Sequence, residues 1–188
     1  MHIERELFKI AESQADGKEV IILLGPRQVG KSYILKWLKR KIENQKIKAS
    51  FFDLENPETL LRFNRSDAEV FRLLTESGRV VFIDEFHYLK NASKLFKAVY
   101  DSRHRVKIFA SGSSSIEIHK HLKESLAGWR SLLKVVPLTI HELENKMGKK
   151  AWDYYLRFGG LPGVINKKNE NERMSHLQEL IQAYLIKD

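Results

Sequence analysis

The chain has 188 residues, 43% hydrophobic and 30% charged, with a net charge of +9. That is enough for one full domain with a core, or one domain and a small appendage. No cysteine is present, which excludes disulfides, zinc–thiolate sites and cysteine nucleophiles. No apolar run is long enough for a membrane span, and the charged start Met1-His2-Ile3-Glu4-Arg5-Glu6 lacks the apolar core of a secretion signal. The expected setting is the cytoplasm, away from membranes.

Residues 3–15 read as an amphipathic helix with Ile3, Leu7, Ile10 and Ala11 on one face. An unbroken apolar run, 20–24, then reads as a buried strand. It leads into Gly25-Pro26-Arg27-Gln28-Val29-Gly30-Lys31-Ser32, and a helical pattern over 33–41 follows, with Ile34, Leu35 and Leu38 inward. Strand, glycine loop and helix in that order are the context in which G-x-x-x-x-G-K-[ST] carries chemistry. The glycines let the backbone take conformations closed to other residues, so several N–H groups can converge on a polyphosphate at the helix N-terminus. Lys31 is placed for the β- and γ-phosphates and Ser32 for Mg²⁺. The expected nucleotide-binding set is Gly25, Pro26, Arg27, Gln28, Val29, Gly30, Lys31, Ser32 and Tyr33. From Lys31 to Lys48 seven basic residues face one acid, Glu43. No aromatic or recognition-helix pattern accompanies them, so a solvated helix face is the better reading than a nucleic-acid footprint.

A second strand is expected over 48–54, then short helices over 58–63 and 67–76, the latter with Asp67 as N-cap. The third strand, Val80-Val81-Phe82-Ile83, ends in Asp84-Glu85. Ligands of doubly wound sheets sit beyond the carboxyl ends of the strands. Asp84 is therefore the expected Mg²⁺ residue alongside Ser32, and Glu85 the group that activates the attacking water. A helix over 93–100 precedes a fourth strand, 106–110, which ends in a serine run. The apolar strand ending in Asp84-Glu85 resembles the Walker B strand of ASCE-type nucleotidases, and that resemblance makes Ser113 and Ser114 the candidates for contact with the γ-phosphate or the water. A helix over 116–126 and a fifth strand over 131–138 follow. Thr139 and Glu142 form the ends of a capping box, and helices are expected over 140–147, 151–158 and 174–186. The last has Leu177, Leu180, Ile181 and Tyr184 on one face, after a polar linker over 166–173. Other motifs fail. His141-Glu142 lacks the second histidine of a zinc-protease helix, since Asn145 occupies its place.

In order, Gly-Pro-Arg-Gln-Val-Gly-Lys-Ser, Ile83-Asp84-Glu85, the serine run from Ser111, Leu126-Ala127-Gly128-Trp129-Arg130, Pro137-Leu138 with Glu142, and Gly159-Gly160-Leu161-Pro162 resemble the prokaryotic AAA-type ATPases that usually carry a C-terminal winged-helix or restriction-endonuclease-like domain. The resemblance implies an α/β, three-layer αβα sandwich with a five-stranded parallel sheet, the P-loop NTPase fold, and a small C-terminal helical region. The expected division is 1–138 for the nucleotide-binding domain and 139–188 for a helical lid leading into a further domain. The resemblance implies ATP and Mg²⁺ as ligands and ATP hydrolysis driving a conformational change, with Lys31, Glu85, Ser113 and Ser114 in the reaction. Arg130 corresponds to the family's Ala-Gly-Arg arginine, displaced by one residue, and is the candidate to complete a neighbouring site in a homo-oligomer. Arg103 and Arg105 are the alternatives. The competing reading is an ATP-gated switch of negligible turnover that regulates a DNA or protein partner.

Overall fold

The computed structural model describes residues 3–113 and 128–185, and the chain divides into two compact units. The larger comprises, among the described residues, 7–27, 31–113 and 128–135 and is built on one sheet. Its strands are β1 (Val20–Gly25), β2 (Ala49–Asp53), β3 (Val80–Asp84), β4 (Lys107–Ser113) and β5 (Arg130–Lys134), all parallel, in the order β2-β3-β4-β1-β5. The apolar runs follow from this arrangement, because a parallel sheet is covered on both faces and its strands need no polar alternation. Ile22, Val81, Ile83, Ile108 and Ala110 on one face pack with Val70 and Leu74 of α4 (Asp67–Glu76) and Leu95, Phe96 and Val99 of α5 (Ala92–Asp101). Strand alternation puts Ile21, Leu23, Phe82 and Phe109 on the other face, where the Phe82 and Phe109 rings stack at 5.2 Å. Each such side chain, fully buried, contributes about 2 kcal/mol of transfer free energy. With α1 (Glu6–Ser13), α2 (Lys31–Asn44) and α3 (Pro57–Phe63), the unit is the expected three-layer αβα sandwich.

Local signals explain most helix boundaries. Asn56 caps α3 by accepting the Thr59 N–H at 3.1 Å, with Pro57 in the first helical position. The cap of α4 is Ser66, which shares a capping box with Glu69, so Asp67 is inside the helix rather than its cap. In α1 the buried face is Phe8 and Ala11, while Ile10 is exposed. A 4.4 Å stack of the Phe8 ring on Trp37 of α2 sets that face. Strand β4 runs three residues beyond its expected end, and β5 stops at Lys134, short of Pro137.

The smaller unit comprises residues 3–6, 28–30 and 136–185. Its helices are α6 (Ile140–Met147), α7 (Lys150–Phe158), α8 (Pro162–Ile165) and α9 (Glu170–Leu185). They share a core of Leu138, Leu143, Ala151, Tyr154, Phe158, Val164 and Ile165, with Ile3 and Leu177 packed against it. Thr139 and Glu142 form both arms of the expected capping box. Helix α9 begins inside the segment expected to be a linker, because Asn169 accepts the Glu172 N–H at 2.9 Å and starts it early. Leu180 is buried, whereas Ile181 is exposed and not part of the inner face. Among the described residues no helix is long and apolar enough to cross a membrane.

Candidate nucleotide site

In the larger unit the carboxyl ends of β1, β3 and β4 bring four side chains together. Lys31, the first residue of α2, is 4% exposed. Its Nζ donates to the carbonyls of Gly25 at 3.1 Å and Pro26 at 2.9 Å, and lies 4.0 Å from Glu85 Oε1. Burial lowers the Lys31 pKa, against the pull of Glu85 and Asp84. Burial likewise raises the Glu85 carboxyl, which Lys31 draws back down and Asp84 pushes up again. Ser32 is half-buried in the first turn of α2, and Tyr33 is exposed on it, 6.2 Å from the Phe8 ring.

Strand order explains how Asp84 is held. Because β4 lies between β3 and β1, a residue near the end of β4 faces both neighbours. The residue that does so is Ser111, which is fully buried. Its hydroxyl donates to Asp84 Oδ1 and accepts the Glu85 N–H at 3.3 Å. Of the serines expected to serve the γ-phosphate, Ser113 is half-buried at the last position of β4, and Ser114 lies outside the described residues. Sequence reasoning passed over Ser111 because β4 was ended just before it. Glu85 itself has φ 53° and ψ 52°, a left-handed conformation uncommon for a residue with a side chain. It sits between β3 and a short 3₁₀ turn, Phe86–Tyr88. His87 of that turn puts Nδ1 3.2 Å from Glu85 Oε2, and burial followed by the Arg27 charge lowers the His87 pKa. Neither His87 nor Glu55, whose charge acts on Lys31 and Glu85, matches a motif.

The glycine loop reads as two different requirements. Gly25 is part of β1, and an added Cβ would meet the Val135 carbonyl oxygen at 2.1 Å. Its need is close approach, not the unusual backbone conformation expected of it. Gln28 and Gly30 do take positive φ, 65° and 92°. In the smaller unit, Val29 is buried and its carbonyl accepts from Arg5 at 2.8 Å.

Arg130 is not at this end of the sheet. It opens β5 opposite Val20, the first residue of β1, so five residue steps of strand, about 16 Å, separate it from Gly25. Its guanidinium lies 5.4 Å over the Trp129 ring. Arg103 and Arg105 precede β4 and so also lie toward the amino ends of the strands. The basic face of α2 is internally occupied. Lys39 pairs with Glu43 at 2.6 Å, Lys41 with Glu12 at 3.3 Å, and Lys36 lies over Phe51, as a solvated face does. Among the described residues no group of three or more His, Asp or Glu forms a metal cluster.

Comparison with known proteins agrees with this layout. At 24% identity over 90% of the chain, it is similar to uncharacterized proteins of Mycobacterium tuberculosis and Methanocaldococcus jannaschii. The chain spans only 36% and 42% of the length of these relatives. Among solved structures, it resembles AMPPCP-bound DnaA from Aquifex aeolicus, with a TM-score of 0.52 at 13% identity over 93% of this chain and 59% of that one. It also resembles a replication initiator DnaA bound to AMPPCP and single-stranded DNA, with a TM-score of 0.53 at 14% identity and the same coverage. These likenesses concern the fold. A family model described as an AAA domain matches residues 17–144, more than half of the chain, and the protein belongs to that AAA family.

Proposed function

We propose that the chain binds Mg²⁺-ATP at the glycine loop and hydrolyses it to ADP, the turnover driving a conformational change. The observation that carries this reading is the Glu85 carboxylate, half-buried one residue beyond Asp84 and 4.0 Å from the Lys31 ammonium. A site that only senses nucleotide has no use for a second carboxylate there.

On this reading Lys31 exchanges the Gly25 and Pro26 carbonyls for the β- and γ-phosphate oxygens, while loop N–H groups over 25–32 surround the phosphates. Ser32 and Asp84 are the protein groups for Mg²⁺. A hydroxyl and a carboxylate suit a hard cation that keeps waters and takes further ligands from phosphate. When bound, Mg²⁺ neutralises charge across the β- and γ-phosphates. Ser111 fixes the Asp84 rotamer, and Glu85 orients the attacking water and accepts its proton. Ser113 and Ser114 remain the candidates for γ-phosphate contact beside Ser111. The test is steady-state ATPase activity against Mg²⁺-ATP affinity in Glu85→Gln. Retained affinity with lost turnover is expected, and wild-type turnover would remove Glu85 from the reaction.

The position of the arginines favours a second reading in part. Arg130, Arg103 and Arg105 lie toward the strand ends away from the loop. A finger from among them can serve only the site of another copy, so an isolated chain would turn over slowly and act as a nucleotide-gated switch. Specific activity rising with protein concentration would mark self-association. The structure of like fold described as bound to AMPPCP and single-stranded DNA makes DNA the first partner to try. Stimulation of turnover by single-stranded DNA would separate a DNA-linked ATPase from one that answers to a protein.

A further inference from the structure

Arg5 is 5% exposed, and its charge is used entirely inside the smaller unit. Nη1 donates to the Val29 carbonyl at 2.8 Å and Nη2 to the Val136 carbonyl at 2.6 Å, while Nε lies 3.5 Å from Glu142 Oε1. Glu142 is 6% exposed and equally committed. Its Oε2 accepts the Thr139 N–H at 2.8 Å, closing the capping box of α6, and its Oε1 accepts the Glu6 N–H at 3.3 Å. A buried arginine needs such a counter-charge, since the cost of an unpaired charge far exceeds that of a neutral group. Neutralised in this way, Arg5 is not itself a phosphate ligand.

What it does to the loop follows from peptide geometry. The Val29–Gly30 peptide is planar and trans, so its carbonyl and the Gly30 N–H point in opposite directions. Holding the carbonyl on Arg5 aims the Gly30 N–H away from Arg5. Gly30, at φ 92°, has little steric preference of its own to hold that plane, and Gln28 on the other side of Val29 is also left-handed at φ 65°. Positive φ on both sides of Val29 leaves room for an external anchor to select one shape of the loop.

We propose that Arg5 is the positioning residue of the phosphate loop: its fork ties the Val29 carbonyl to Val136 and to the Glu142 cap of α6, and so fixes the direction of the Gly30 N–H toward bound phosphate. The proposal rests on the phosphate-loop reading above and extends it. It makes the start of the helical region, through Glu142, a part that can tighten or loosen the loop. A lysine cannot replace the fork, because one ammonium cannot span two carbonyls and a carboxylate in this planar arrangement.

The test compares wild type with Arg5→Lys, Glu142→Gln and Lys31→Ala by amide hydrogen exchange of the unliganded proteins and by calorimetric Mg²⁺-ATP affinity, well below the melting temperature. Glu142→Gln preserves the capping box, so it keeps the test usable should Arg5→Lys fold poorly. Arg5→Lys and Glu142→Gln are expected to raise exchange at Gly30 and Lys31, leave β1 and β3 protected, and weaken Mg²⁺-ATP binding by about tenfold or more. Loop exchange at the wild-type rate in a folded variant overturns the proposal, as does faster loop exchange with unchanged affinity. If wild type itself binds no Mg²⁺-ATP, the phosphate-loop reading falls and takes this one with it. If wild type binds, Lys31→Ala does not and the two anchor variants match wild type, only the anchor is wrong.

Discussion

Lys31 and Lys107 are both buried lysines of the larger unit, and burial lowers the pKa of both. Lys107 opens β4 at the amino end of the sheet. It donates to the Glu19 carbonyl at 2.6 Å, lies 5.4 Å over the Phe109 ring, and is pushed down to about 8, with Glu19 and Asp16 as weaker opposing charges. Lys31 stands at the carboxyl end, on a glycine loop, facing Glu85 and Asp84. Burial therefore does not distinguish the candidate binding lysine from a structural one. The difference lies in what else shares the space. Lys107 satisfies a carbonyl just ahead of β1, whereas Lys31 is bonded to loop carbonyls beside two carboxylates, partners that a phosphate and its metal could replace.

The sharpest way to break that contrast is to remove each lysine. Lys31→Ala is expected to weaken Mg²⁺-ATP binding by at least about a hundredfold in a folded protein, whereas Lys107→Met leaves it unchanged, both read by calorimetry. Equal losses in the two would mean that the Lys31 result is a packing effect. Next in size is Glu85→Gln, with turnover down by about a hundredfold or more and affinity retained. Because burial raises the Glu85 carboxyl of the unliganded protein, the acid limb of kcat/KM in wild type should lie above pH 4.5, the ordinary value, and activity should fall as pH drops through it. The limb should be missing from the residual activity of the glutamine variant.

Lys107 provides a smaller, opposite test. Its folded pKa, about 8, is below the ordinary 10.5, so between those values the unfolded chain holds more protons than the folded one. Stability should accordingly rise with pH from about 8 toward 10.5, and urea midpoints of Lys107→Met should lack that rise. The smallest effect is expected from Arg130→Ala. Mg²⁺-ATP affinity should stay within about twofold of wild type, read by calorimetry, because Arg130 opens β5 at the far end of the sheet from the glycine loop.

The reach of sequence reading varied with how local each signal was. The central strands β1 and β3 were legible because burial on both faces leaves unbroken apolar runs. The meeting of Lys31, Asp84 and Glu85 at one end of the sheet was legible because each follows directly on a strand or loop signal in the sequence. The Thr139–Glu142 cap was legible because its two ends stand at a fixed short spacing. Ser111 was not, because the serine that meets Asp84 is selected by the register of β3 against β4, and four serines within the five residues 111–115 offer no local way to choose. The partnership of Arg5 with Val29 and Glu142 joins points far apart in sequence and leaves no periodic trace. Phe8 was missed in favour of Leu7 and Ile10 because the stack on Trp37 fixes the rotation of α1, which helical spacing alone leaves free.

The left-handed backbone at Glu85 has an evolutionary edge to it. A side chain in this region costs about 1 kcal/mol relative to glycine, which enters it freely. Glu85→Gly and Glu85→Ala both lose the carboxylate, so the difference between their urea midpoints isolates the backbone, and the glycine variant should be the more stable by about that amount. Drift at this position is thus pulled toward the residue that folds best and catalyses nothing. Retention of a glutamate there in any descendant of this chain would be a mark of selection on chemistry, legible without an assay.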